Sequence, residues 1–429
     1  MGTTTNPSAL TREQQAALNN LRGVLGRQLR PASKTDPTLL AELILQNASL
    51  MRENGLASEL LDYLQRVREK VDAENPLYAR LSIETAVTLD AIDGRQQEAG
   101  EFFQTTLAWY QAHPIPLVEG QARIAYGRFL IHRSQLQEAM VQYQQALESL
   151  KDYPAETAIA QSEMGRVLVG QGKFGEAVSR FEKAYGLSSG DDKSTLRLLN
   201  DFAAALIELG EMERTEKLLT EGIETATQQG LWLVRANLRR QMAYIYHLRA
   251  EKSSDAVSAQ PYLDEAERLL RQVVAEMLPL QNTLDLAVVY HDLGRIETQQ
   301  HRFTEAEAHL RLSLELFQRL GNLRNEAVVE ITLGTLVVLK NGDIVAGNEH
   351  LHRSLHLADK VGDGFTLRQA AETLTRLHQL QANRAKTQPR EIRIRVIDQL
   401  SFSRAKLAEF GLPEAAQVMA SMMTELEAL

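Results

Sequence analysis

The chain has 429 residues, 44% hydrophobic and 24% charged, with a net charge of −9; that length holds a sizeable core, and the negative balance disfavours generic nucleic-acid binding. It contains no cysteine, which removes disulfides, thiolate metal sites and cysteine nucleophiles together and suits a cytosolic protein. Only 11 prolines and 6% aromatics occur, against an abundance of Leu, Ala, Glu, Gln and Arg, and this composition predicts an all-α chain.

Residues 1–37 read as a leader and one helix. Residues 1–9 have no apolar stretch of signal-peptide length, and Asn6 stands where myristoylation after Gly2 requires Ser or Thr. Thr11 is placed to cap a helix reaching about Leu29, which Arg30-Pro31 ends, and Ala32 to Pro37 is a polar linker. Nowhere in the chain is there an apolar run of about 18 residues, so no membrane span is expected.

Residues 38–383 read as helix pairs, each with a small residue in its first helix, a turn, then a small and a large residue at helical spacing in its second. The clearest copy is Gly165, Leu168, Gly172, Ala177, Phe181, Ala184. Gly165 and Ala177 mark where two backbones come close, and a large side chain there would overpack the contact by roughly 1–3 kcal/mol. In chain order the first pair has Ala48, turn Gly55, and Leu60, Leu64 and Val67; the second has Val87 at the small position, turn Gly94, Ala99 and Phe103; the third has Gly127, Leu130, Ala139, Tyr143 and Ala146. The Gly165 copy is the fourth. The fifth has Ala203, Leu206, Gly210, Thr215, Leu219 and Gly222. In the sixth, Ala243 and Tyr246 precede Ala266, Leu270 and Val273; the interval from 243 to 266 exceeds that from 165 to 177 by eleven residues, and Glu251 to Asp255 suits an exposed loop or a frayed helix extension. The seventh has Gly294, Phe303, Ala306, Leu310 and Ser313; the eighth has Gly334, Gly342, Gly347, Leu351 and Ser354, with one extra residue placed in the turn. A further helix follows Val361. In residues 384–429, helices after Pro389 and Pro413 read as a cap over the last apolar face, and 384–406 carry seven Lys/Arg against two Asp/Glu, a solvated basic patch.

This arrangement resembles the tetratricopeptide repeat. The pitch of 38, 38 and 40 residues between the small positions 127, 165, 203 and 243 is similar to the long-repeat branch, which includes kinesin light chains, LGN-type adaptors, Rap-type peptide receptors and the sensor region of MalT-like activators. The resemblance implies an α-α superhelical solenoid of about eight helix pairs, with an N-terminal helix and C-terminal capping helices. First helices would line a concave face, where Arg128, Arg166, Tyr244 and Arg295 each follow a small residue. Arg197, Asn200, Arg240, His247 and His291 would lie nearby. Two readings of the arginines stand open: donors to an acidic partner segment, or braces paired with acids on adjacent helices. Leu199-Asn200-Asp201-Phe202-Ala203 resembles the Leu-Asn-Asn-Leu-Ala of kinesin-light-chain-type repeats, whose Asn side chains hold an extended peptide; here Asp201 replaces the second Asn.

Other clusters read as structural. His352 and His356 share a helical face without a third metal ligand, His291-Asp292 lies inside a repeat helix, and Gly165, Gly170 and Lys173 lack phosphate-loop spacing. The expected function is a non-catalytic scaffold or adaptor that binds a protein or peptide without cofactor or metal. A ligand- or peptide-sensing module of a signalling or transcription system is the alternative.

Overall fold

The computed structural model describes residues 12–28, 36–188, 193–278 and 283–429; the leader, the Thr11 cap and most of the 32–37 linker lie outside them. Among the described residues there are 20 helices and no strand, and no helix is long and apolar enough to cross a membrane. The chain falls into two compact units, residues 1–241 and 242–429.

The first unit opens with α1 (Arg12–Gln28) and stacks five antiparallel pairs: α2 (Pro37–Glu53) with α3 (Ala57–Arg68), α4 (Pro76–Asp90) with α5 (Gln96–Ala112), α6 (Pro116–His132) with α7 (Leu136–Ser149), α8 (Pro154–Gly170) with α9 (Phe174–Leu187), and α10 (Lys193–Glu208) with α11 (Met212–Gln228). The first helices of the first four pairs each begin with proline, whose fixed φ and missing N–H suit that position. At the turn inside each pair the chain needs one left-handed residue. Glycine supplies it at Gly55, Gly94, Gly172 and Gly210, whereas Ser134 takes φ 61° in the third pair.

Pairing rests on one recurring contact. A Cβ on Gly165 would lie 2.6 Å from Phe181 Cε1, and one on Gly127 would lie 2.4 Å from Tyr143 Cε1, so each ring occupies the space the missing side chain leaves. Both rings are fully buried, which stabilises the fold by about 2–3 kcal/mol each. In the second pair the small position is Ala86 rather than Val87. Ala86 is fully buried and Val87 only half-buried; the turn after α4 spans five residues against three after α8, and α4 ends sooner after its small position, so the interval to Ala99 is one residue longer than in the Gly165 pair. Gly120 makes a second close approach, its Cβ position 2.3 Å from Leu150 Cγ.

α12 (Trp232–Lys252) carries the chain into the second unit. There it is followed by α13 (Ala256–Met277), the pairs α14 (Thr283–Gln299) with α15 (Phe303–Arg319) and α16 (Leu323–Asn341) with α17 (Ile344–Lys360), and then α18 (Gly364–Ala385), α19 (Arg390–Glu409) and α20 (Pro413–Glu427). The eleven additional residues of the sixth pair are helical. α12 runs nine residues past Ala243 and α13 starts ten before Ala266, against five and three around Gly165 and Ala177, while both turns span three residues. Asp255 caps α13 by accepting from Ser258 N at 2.9 Å. Tyr246 stacks on Tyr262 with centroids 6.4 Å apart, and Arg249 lies over both rings, so the two lengthened helices are clamped together at their base. In the eighth pair the extra residue is taken up by α16, which ends at Asn341, and not by the turn. The serines of the seventh and eighth pairs fasten second helix to first: Ser313 Oγ donates to Ala287 O at 2.7 Å and Ser354 Oγ to Ala327 O at 2.8 Å. α18, α19 and α20 share an apolar core that includes Leu374, Leu400, Leu407 and Met419.

Candidate partner-binding surface

In the first unit, the first helices place a row of polar side chains side by side. Glu163 of α8 is 5% exposed and accepts from Arg128 Nε of α6 at 2.9 Å and from Arg166 Nη1 at 3.2 Å. Arg166 Nε also lies 3.6 Å from Asp201 of α10. Gln241 Nε2 of α12 donates to Asn200 Oδ1 at 3.4 Å. Burial pushes the Asp201 carboxyl above its ordinary value; Arg166 and a hydrogen bond from Asn200 pull it back, and Glu163 adds to the rise. Arg128 and Arg166 are thus braces across adjacent helices, yet their side chains remain 51% and 56% exposed. Arg240 is half-buried and engaged by an interaction of its own.

Next to this row lies an open groove of about 450 Å³ between α10 and the start of α12. Arg197, Asn200, Asp201, Trp232 and Asn237 line it. Arg197 is exposed, and no ion pair reaches it among the described residues. The Trp232 ring is 37% exposed. Sequence reasoning found Arg197 and Asn200 but missed Trp232 and Asn237, which follow the Gly230 turn, and missed Glu163, an acid two residues before Gly165 and one helical turn before Arg166.

The remaining candidates sit in the second unit. Arg295 Nη2 donates to His247 Nε2 at 2.8 Å; His247 is 4% exposed, and burial first, then the Arg295 charge, lowers its pKa to about 4. His291 Nε2 meets Thr332 Oγ1 at 2.9 Å, and burial lowers its pKa to about 4 against the opposing pull of Asp292. Tyr244 packs near His247, with centroids 6.3 Å apart. The bond to His247 leaves Arg295 less available than a free guanidinium. The three neighbouring histidines of α17 diverge: His350 meets Glu330, His352 meets Ser403, and His356 is exposed. Among the described residues no cluster of three metal-binding side chains occurs.

Residues 286–320, the seventh repeat, match the tetratricopeptide-repeat family model. No curated protein matches the sequence. Human IFIT1, solved as a dimer with m7Gppp-AAAA, is similar in fold with a TM-score of 0.57 at 13% identity, over 98% of this chain and 96% of that one. The apo quorum sensor NprR from B. thuringiensis gives 0.52 at 21% identity, over 71% and 83%. Kinesin-light-chain TPR-like repeats of Podosopora anserina give 0.37 at 21% identity, over 45% and 98%. At these identities the likeness to IFIT1 and NprR is one of fold.

Proposed function

We propose that this chain, a tetratricopeptide-repeat protein of the long-repeat type, is a non-catalytic scaffold that holds an extended segment of a partner protein against its first helices. The observation that carries this is the groove beside Trp232. An exposed guanidinium, two amides and an indole face converge there, beside Arg128 and Arg166, which Glu163 already braces. Arg197 offers a fork of donors to a carboxylate, Asn200 and Asn237 offer amide pairing to a peptide backbone, and Trp232 offers a face for an apolar side chain. The segment is therefore acidic at one position with an apolar neighbour, and its binding weakens with salt. Arg128 and Arg166 contribute less than their exposure suggests, because Glu163 and Asp201 already balance their charge. A polypeptide is favoured over RNA of the kind solved with IFIT1 by the net charge of −9.

Affinity capture from source lysate with mass spectrometry, run in parallel on the wild type, Arg197→Gln and Trp232→Ala, tests the reading. A protein retained by the wild type and lost from both variants at unchanged melting temperature is the expected result. The same proteins in all three eluates would overturn the groove as the binding surface. NprR, a quorum sensor of similar fold, motivates the sensing alternative; a captured small molecule or short peptide in place of a protein would support that reading instead.

A further inference from the structure

A second site lies in the other unit and is independent of the first-helix groove. Between α17 and α19 runs a trough of about 290 Å³ whose lining includes Asn348, Glu349, His352, Asp398 and Phe402. Its floor is a chain of hydrogen bonds whose direction can be assigned. Gln381 Nε2 donates to Gln399 Oε1, so Gln381 Oε1 is the acceptor 3.1 Å from His378 Nδ1, and that nitrogen carries the proton. His378 Nε2 is then the acceptor, for Ser403 Oγ at 2.8 Å and Asn348 Nδ2 at 3.4 Å. With its hydroxyl proton committed, Ser403 Oγ accepts from His352 Nε2 at 3.0 Å.

Two atoms are left over. Asn348 Oδ1 and His352 Nδ1 are both buried and both lack a partner, and Asn348 as a whole is only 7% exposed. With the tautomers assigned, each is a bare acceptor, and leaving such atoms unmade in a fold costs free energy. At the rim stand Glu349 and Asp398, exposed carboxylates with no ion pair among the described residues. The polar atoms the trough leaves over on Asn348, His352, Glu349 and Asp398 are thus acceptors, while Gln399, also in the lining, keeps an amide donor. The ring of Phe402, 57% exposed, forms an apolar wall with its edge-on contact to His352 at 5.2 Å. Burial, and then Lys406, keep His352 below its ordinary pKa, consistent with a neutral acceptor.

We propose that this trough is a socket for a guanidinium, supplied by an arginine side chain of a partner protein. A guanidinium carries five N–H donors in one plane and no acceptor, matching the two bare acceptors and two rim carboxylates, and it stacks on aromatic faces as an ammonium does less well. Its aliphatic stem covers the apolar lining. Two neighbouring cations are already paired, Lys406 with Glu409 at 2.8 Å and Arg353 with Glu330 at 3.4 Å.

The test is saturation-transfer NMR titration of the full chain with N-acetyl-arginine amide, N-acetyl-lysine amide and N-acetyl-citrulline amide. Arginine is expected to bind weakly but at least threefold more tightly than lysine, with citrulline, which keeps the shape and loses the charge, weaker still. Replacing Glu349 and Asp398 together by Gln and Asn, on exposed positions that spare the fold, should weaken arginine by about fivefold. Phe402→Ala should remove the preference for arginine over lysine. Equal binding of all three probes, or arginine affinity untouched in the Glu349/Asp398 variant, would overturn the socket.

Discussion

Gly165→Ala is the sharpest test of how the repeats pack. The added methyl carbon would stand 2.6, 2.8 and 2.9 Å from three atoms of the Phe181 ring. Carbon atoms rest about 3.5–4.0 Å apart, so the ring must retreat by roughly 1 Å. It has nowhere to go: Phe181 is fully buried and packs against Phe202, centroids 6.0 Å apart, within a cluster that includes Leu198 and Leu206. Overpacking of this kind costs about 1–3 kcal/mol, while replacing a mid-helix glycine by alanine returns up to about 1 kcal/mol of propensity. The net expectation is a loss of about 1–2 kcal/mol. Because solenoid stability is carried by neighbouring repeats, the loss should appear as faster amide exchange in α8, α9 and α10, read by hydrogen–deuterium exchange. Gly186→Ala in α9, where nothing lies within 4 Å of the added atom, is the control and should stabilise slightly. Phe181→Leu combined with Gly165→Ala should recover part of the damage, giving a favourable coupling in the double-mutant cycle. A Gly165→Ala variant as stable as the Gly186→Ala control, or a cycle without coupling, would refute the contact as the basis of pairing.

Arg128→Gln and Arg166→Gln should each cost little, about 0–1 kcal/mol, because the other arginine still meets Glu163; the double variant leaves that buried carboxylate alone and should cost more than the two losses added, measured by urea denaturation. His247, His291 and His378 are all held neutral by burial, with pKa values lowered to about 4. The unfolded chain therefore takes up protons below about pH 6.5 that the folded one refuses down to about pH 4, so stability falls as pH drops through that window, by up to about 3 kcal/mol per histidine. All three lie in residues 242–429, so the melting temperature should fall from pH 7 to pH 5, with a shallower slope in His378→Gln; a pH-independent melt of the wild type would contradict their burial. Ser134→Gly should stabilise by about 1 kcal/mol, since Ser134 holds a left-handed φ of 61° that costs L-residues about that much; a lower melting temperature in the variant would count against the turn geometry.

Local rules were enough for the pairs themselves. The small residue, the turn glycine and the buried Phe181 or Tyr143 recur in one chain segment at fixed spacing, and helix contacts between sequence neighbours are decided by that spacing alone. Prolines at positions such as Pro76 and Pro154 mark helix starts for the same reason. Where the sequence spacing put Val87 at the small position, burial chose Ala86 instead, because the interval to Ala99 is one residue longer there and that leaves no compositional mark. The eleven extra residues of the sixth pair lengthen α12 and α13 around a three-residue turn, and a Tyr246–Tyr262 stack formed between the two helices supports both extensions; a contact across helices has no signature in either one. The site divides in the same way. Arg128 and Arg166 were legible as a repeated position on first helices, and Asn200 through its Leu-Asn-Asp-Phe-Ala resemblance, but their state was not: the Arg128–Glu163 and Arg166–Asp201 pairs join helices whose partners lie 35 residues apart in the chain. The α17–α19 trough lies furthest from what sequence determines. Its acceptors come from Asn348 and His352 only after His378 and Ser403, on two other helices, have taken up the remaining hydrogen-bonding capacity, and that allocation exists only once the helices are packed.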